Sequence, residues 1–251
     1  MEVIVKNTVA EMSICGAEVV AEVLKSKKSP VLGLATGSTP VKMYQELIKM
    51  NKAGKLDFSK VRTFNLDEYV GLEGTHDQSY RYFMNTNLFD HININKKNTN
   101  VPNGIAKDIA AACAEYEKKI VAWGGIDIQV LGIGSNGHIA FNEPLSGMNT
   151  RTRKVSLTEG TIQDNARFFA KKSDVPTFAV SMGNGTILEA RKIVLLANGK
   201  NKAEVVAKMI EGSISHMVPA SFLQTHADCV VVVDKDAASM LKGKYLSSLA
   251  K

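Results

Sequence analysis

The chain has 251 residues, of which 45% are hydrophobic and 22% charged, so it can bury a substantial core and is too apolar for global disorder. Its 31 basic and 25 acidic residues leave a net charge of +6. The lysines are scattered, apart from short pairs such as Lys27-Lys28, Lys96-Lys97 and Lys171-Lys172, which reads as plain solvation and argues against a nucleic-acid partner.

Three cysteines, Cys15, Cys113 and Cys229, lie far apart without paired spacing. That argues against a disulfide framework or a zinc knuckle and fits a reducing compartment. No apolar run approaches the ~20 residues of a membrane span, and Met1-Glu2-Val3-Ile4-Val5-Lys6 lacks the apolar stretch of a signal peptide. A cytoplasmic protein with no membrane partner is expected.

In chain order, residues 3–5 read as a first strand and 8–25 as an amphipathic helix. A buried strand at 31–34 and a helix at 40–50 follow, then strand 61–65 and helix 79–89. Residues 109–123 are helical and 126–133 form the next strand. Later strands are expected at 178–181, 193–196 and 230–233, with helices at 202–210 and near the C-terminus. This alternation predicts an α/β fold with a mostly parallel sheet and helices on both faces. Residues 1–251 are expected to be a single domain, since no repeat, low-complexity tract or linker divides them. In such folds ligands gather at the carboxyl ends of the strands, so polar or glycine-rich strand ends are where chemistry is sought.

Three segments answer that description. In the first, Gly33-Leu34-Ala35-Thr36-Gly37-Ser38-Thr39-Pro40, a strand meets small and hydroxyl residues before a helix. Pro40 suits the first helical position, and Ser38 or Thr39 can cap it. The exposed N–H groups and the positive helix end would cradle a phosphate, although an ordinary capped turn fits equally well. In the second, Phe64-Asn65-Leu66-Asp67-Glu68-Tyr69, two carboxylates follow an apolar strand. One of them could remove a proton next to a carbonyl or imine, or the pair could form an acidic surface turn.

The third segment runs Gly132-Ile133-Gly134-Ser135-Asn136-Gly137-His138-Ile139-Ala140-Phe141-Asn142-Glu143-Pro144. His138 and Glu143 are five residues apart, close enough for a turn to pair them. A carboxylate beside an imidazole raises its pKa and fixes its tautomer, giving a proton shuttle near neutral pH. Gly132, Gly134 and Gly137 also spell a dinucleotide-binding fingerprint, but Pro144 arrives where a long helix is required.

Taken together and in this order, Thr-Gly-Ser-Thr-Pro, Phe-Asn-Leu-Asp-Glu-Tyr-Val-Gly-Leu and Gly-His-Ile-Ala-Phe-Asn-Glu-Pro resemble the glucosamine-6-phosphate deaminase family. The likeness continues through residues 79–92, Asn165-Ala166-Arg167-Phe168-Phe169 and Gly183-Asn184-Gly185-Thr186-Ile187-Leu188, and ends near Lys200-Asn201-Lys202-Ala203. The resemblance implies a modified Rossmann-like domain that takes a small sugar phosphate, glucosamine 6-phosphate, without metal, nucleotide or other cofactor. It implies that Asp67 moves a proton between C2 and C1 of the opened sugar, and that His138, supported by Glu143, opens the ring. Phosphate would be held by Thr36, Gly37, Ser38 and Thr39 together with Arg167 and Lys202; arginine offers a bidentate fork and lysine a point charge.

Two departures from the family pattern bear on mechanism. Some members carry an aspartate where this chain has Asn136, which can orient His138 but cannot stabilise an imidazolium by charge. A pH profile different from the aspartate type is therefore expected. Superimposable curves of kcat against pH for wild type and Asn136→Asp would sink that expectation. The chain also ends at Lys251, before the C-terminus of the allosteric hexameric members, and of their effector residues it keeps Arg153 but has Val155 where a lysine is expected. A non-allosteric enzyme is expected, with monomer and homo-oligomer both open. A lid is expected within residues 147–173, where periodicity is weak. The rival readings are a 6-phosphogluconolactonase-type hydrolase and a non-catalytic sugar-phosphate sensor.

Overall fold

The computed structural model describes residues 1–245. Seven strands form one sheet: β1 (Glu2–Lys6), β2 (Val31–Leu34), β3 (Arg62–Asn65), β5 (Thr99–Asn100), β6 (Ile128–Leu131), β9 (Lys192–Ala197) and β10 (Cys229–Asp234). Their order is β1-β10-β9-β6-β2-β3-β5, and every pairing is parallel. β2 and the first five residues of β10 are apolar runs, and every residue of both strands is buried, as a parallel sheet covered on both faces requires. Each fully buried Val, Leu or Ile there contributes roughly 1.5–3 kcal/mol of transfer free energy.

The helices start where short polar side chains satisfy free N–H groups. Thr8 accepts from Glu11 N at 3.1 Å, and Glu11 in turn accepts from Asn7 N, which fixes the start of α1 (Val9–Ser26). α1 packs on α2 (Ser38–Lys52). Ser79 caps α3 (Tyr80–Asn87), and Asp108 caps α4 (Ile109–Ala122). α4 sets the Tyr116 ring edge-on against Phe64 at 5.4 Å, and the Tyr116 hydroxyl donates to Asn65 O at the end of β3.

Crossovers from β2 to β3 step one way along the sheet, and those from β6 towards β9 and β10 step the other way. Right-handed connections then place helices on both faces, with the reversal between β2 and β6. That reversal is the switch point where open α/β sheets bind ligands.

A second, antiparallel sheet stands beside the first, with order β4-β8-β7: β4 (Asp67–Tyr69), β8 (Phe178–Ser181) and β7 (Arg153–Ser156). The expected strand at 178–181 exists but pairs here, outside the parallel sheet. β7 was not expected: in Arg153-Lys154-Val155-Ser156 the outward residues are polar and no apolar run marks the strand. Leu66 joins the two sheets, donating its N–H to Leu34 O and accepting from Met182 N.

Three further helical elements matter for the site: α5 (Glu159–Asn165), α6 (Asn184–Leu188) and α7 (Ala203–Glu211). The helix expected near the C-terminus is not found in residues 235–240, which form turns, and residues 246–251 lie outside the described part. No helix among the described residues is long and apolar enough to cross a membrane.

Candidate active site

A cavity of about 400 Å³ opens at the carboxyl ends of β2 and β6. Thr36, Gly37, Ser38 and Thr39 line one side, while Asp67 and His138 line others. A larger groove of about 860 Å³ runs between α4 and β7, over Cys113, Val121 and Lys154. Its walls are apolar, and its Glu117 and Arg151 pair with each other at 2.7 Å, so the acid–base chemistry belongs to the smaller cavity.

The start of α2 corrects one sequence expectation. Gly37, at φ 92° and ψ 178°, is the N-cap, Ser38 already opens the helix, and no side chain caps it. Pro40 therefore falls in the third helical position, and neither Ser38 nor Thr39 is a cap. The conformation at Gly37 is one that L side chains avoid. It leaves the first N–H groups of α2 without a capping side chain beside the cavity, which suits an anion.

The adjacent carboxylates of β4 divide the work. Glu68 is buried, and its oxygens accept from Tyr69 N, Tyr80 N and Arg81 N at 2.9–3.0 Å, which anchors the start of α3. Asp67 is 6% exposed and faces the cavity instead. Burial, aided by the charge of Glu68, pushes its carboxyl up to about 8. A carboxyl so raised is poised to exchange a proton with carbon near neutral pH.

Across the cavity, a tight loop brings His138 back to Glu143. Ala140 takes a left-handed φ of 50°, and Asn142 pins the loop by donating from Nδ2 to Ile139 O and Met182 O. Arg153 Nη1 donates to Asn142 Oδ1 at 2.9 Å. The expected pair forms, but through an intermediary. His138 Nδ1 is 3.6 Å from Glu143 Oε2, whereas it meets Asn136 Oδ1 at 2.8 Å. Asn136 Nδ2 donates to Glu143 Oε2 at 2.7 Å. The acceptor at Asn136 Oδ1 fixes the proton on Nδ1 and leaves Nε2 to accept one.

Glu143 Oε1 accepts from Thr161 Oγ1, with Thr158 Oγ1 3.2 Å away. Burial pushes the Glu143 carboxyl up, but the nearby His138 and the hydrogen bonds from Thr161 and Asn136 outweigh it and hold the group at about 2.

The wall where the resemblance expects phosphate is assembled from two further places. Arg167 follows α5, and its guanidinium lies 4.7 Å from the Phe168 ring centroid. Lys202 precedes α7 and donates to Ile133 O at 2.8 Å. Both line the cavity with Asn198 and Asn201. Burial lowers the lysine, with the nearby Arg167 adding to the effect and Asp164 opposing it.

The sequence profile of the glucosamine-6-phosphate isomerases/6-phosphogluconolactonase family matches residues 6–232. The chain belongs to that family. It is 54% identical over 242 residues to a glucosamine-6-phosphate deaminase of Clostridium perfringens, covering 96% of this chain and 100% of that one. A glucosamine-6-phosphate deaminase of Thermoanaerobacter pseudethanolicus is 52% identical over 249 residues, or 99% and 98% of the two chains. Among solved structures, a monomeric glucosamine-6-phosphate deaminase superimposes with a TM-score of 0.94 at 44% identity, covering 96% of this chain and 100% of that one. A 6-phosphogluconolactonase of Trypanosoma cruzi superimposes at 0.75 with 22% identity over 96% of this chain and 97% of that one, a likeness of fold alone.

In this member of the isomerase/lactonase family, the segments singled out in the sequence all reach one cavity, with Glu143 held just behind it by Asn136 and Thr161. The glycine fingerprint has a different use from dinucleotide binding. A Cβ on Gly134 would lie 2.2 Å from His138 Cε1, so that glycine makes room for the imidazole. Tyr80, Phe141, Thr161, Asp164 and Asn201 also line the cavity and were not expected. Thr158, which caps α5, was missed as well, although Thr158-Glu159-Gly160-Thr161 has the spacing of a helix start. No three His, Cys, Asp or Glu side chains converge as metal ligands among the described residues.

Proposed function

We infer that the chain isomerises and deaminates glucosamine 6-phosphate, giving fructose 6-phosphate and ammonia. One observation carries the assignment of roles. A buried Asp67 and the imidazole of His138, backed by Asn136 and Glu143, face one cavity that also presents two cations and the open end of α2. His138 Nε2 takes the anomeric hydroxyl proton and delivers one to the ring oxygen, which opens the pyranose. Asp67, in its ionised form, removes the C2 proton and returns it to C1 of the resulting enolamine. Water adds to the C2 imine, and ammonia leaves.

The Thr36–Thr39 turn, Arg167 and Lys202 hold the phosphate in this reading. Lys202→Ala is expected to raise KM for glucosamine 6-phosphate about tenfold or more, as loss of a charged hydrogen bond would, with kcat within about threefold of wild type. Ammonia release measured over a substrate series checks this, and an unchanged KM rejects the phosphate site. The same rate curves test a further part of the proposal, the lack of allosteric activation. Arg153 is engaged with Asn142, and Val155 offers no charge beside it. Hyperbolic curves are expected. The reading extends to the cytoplasm, where three buried, free cysteines persist unoxidised. It also places a closing element in the latter part of residues 147–173, since 153–156 are held in the small sheet.

A further inference from the structure

Two hydroxyls at the start of α5, one from its cap, hold the oxygen of Glu143 that Asn136 does not. Thr161 Oγ1 hydrogen-bonds Oε1, and Thr158 Oγ1 lies 3.2 Å from that oxygen. Thr161 is 5% exposed and the Glu143 side chain 12%, so water competes weakly for this oxygen. Thr158 is itself fixed, because its Oγ1 accepts from Thr161 N at 3.2 Å as the cap of α5 and lies 3.1 Å from Thr161 Oγ1. The hydroxyl protons of this pair are thus directed at the carboxylate or at one another. Oε2, meanwhile, is held by Asn136 Nδ2 at 2.7 Å. A carboxylate gripped at both oxygens cannot turn about its terminal bond, and it keeps Oε2 facing the imidazole.

We propose that Thr161, backed by Thr158, is a positioning residue for ring opening: it fixes Glu143 to the first turn of α5. The inference rests on the role given to Glu143 above. Its consequence is a mechanical tie between the two ends of the cavity. The same short helix carries Asp164 and Asn165 and leads directly into Arg167, all on the cavity wall. Whatever sets that helix therefore sets the group that must stay ionised while His138 gains a proton. Among the described residues, the titratable group facing Glu143 is His138. The charged residues of α5 are engaged elsewhere: Glu159 pairs with Lys172, and Asp164 Oδ2 lies 3.3 Å from Ser135 Oγ.

Thr161→Val keeps the shape and removes the hydroxyl, whereas Thr161→Ser keeps the hydroxyl. Ammonia release should show kcat down about tenfold in the valine variant, the size of one hydrogen bond to a charged acceptor, with KM within about twofold. Carbon-detected NMR of the Glu143 carboxyl in ligand-free protein should show its titration moved up by about one unit. Serine should restore both readouts. The proposal is overturned if the Glu143 titration superimposes on wild type, if serine is as impaired as valine, or if only KM moves. Should the valine variant not fold, Thr161→Ala is read in the same way. Glu143→Gln with undiminished turnover would instead sink the role of Glu143 itself, and the titration of the Thr161 variants stands apart from that outcome.

Discussion

Asp67→Asn should release ammonia about 10³-fold more slowly than wild type and gain in melting temperature relative to it as pH rises. The activity loss follows because an amide cannot take the C2 proton. The gain in stability follows from linkage. The Asp67 carboxyl sits at about 8 in the folded chain against an ordinary 3.8, so the folded state holds a proton that the unfolded state releases between those values. Stability is fully present below 3.8, falls as pH rises, and levels off above about 8. The asparagine variant escapes that loss. The cost of an imperfectly paired buried amide is the same at every pH and offsets the whole curve, so what is expected is growth of the variant's advantage by about 2 kcal/mol or more between pH 4 and pH 8. That corresponds to a few degrees in Tm for a domain of this size. Thermal melts of both proteins across this range, paired with ammonia assays, test the argument. Full activity in the variant moves the base elsewhere. A Tm difference that ignores pH means that the carboxyl is not perturbed.

His138→Gln should lower kcat on glucosamine 6-phosphate by about 10²–10³, and the loss should depend on the ring. Glutamine preserves polarity but cannot carry a proton from one oxygen to another. A substrate analogue without the 4- and 5-hydroxyls can close to neither a furanose nor a pyranose and so needs no ring opening. On that analogue the variant should fall by less than about tenfold, a residue of lost positioning. Equal losses on both substrates would reject ring opening as the task of His138 and leave it in the later proton transfers. The two variants are complementary: Asp67→Asn should fail on both substrates, because each must still lose the C2 proton.

How much of this was legible in the sequence depended on whether the signal was local. The buried strands at 31–34 and 230–233 read directly as apolar runs, and their ends led to the cavity. β4 and β7 did not read as strands, because Asp67-Glu68-Tyr69 is three residues long and Arg153-Lys154-Val155-Ser156 is mostly polar. Their strand character comes from pairing with β8, a tertiary fact. The cap of α2 was misplaced because Ser38 and Thr39 have cap chemistry, yet the backbone turns one residue earlier, at Gly37. In the site, His138 and Glu143 were close enough in sequence to be paired by inspection. Thr158 and Thr161 reach Glu143 from 15 and 18 residues away, and no spacing rule connects a carboxylate to hydroxyls at that distance.

The anchoring of Glu68 has a consequence for its neighbour. Side chains along a strand point alternately to opposite faces, so a displacement by one residue would exchange the faces of two adjacent carboxylates. β4 has only three residues with which to resist such a displacement. Its phase is set instead by three backbone N–H groups closing on Glu68, two of them from the start of a helix that cannot follow the strand. The residue that never meets substrate thus decides which of two chemically similar acids does. In a lineage of such proteins, swapping the two letters Asp and Glu would preserve composition, charge and local pattern while turning a longer, differently placed acid towards the sugar.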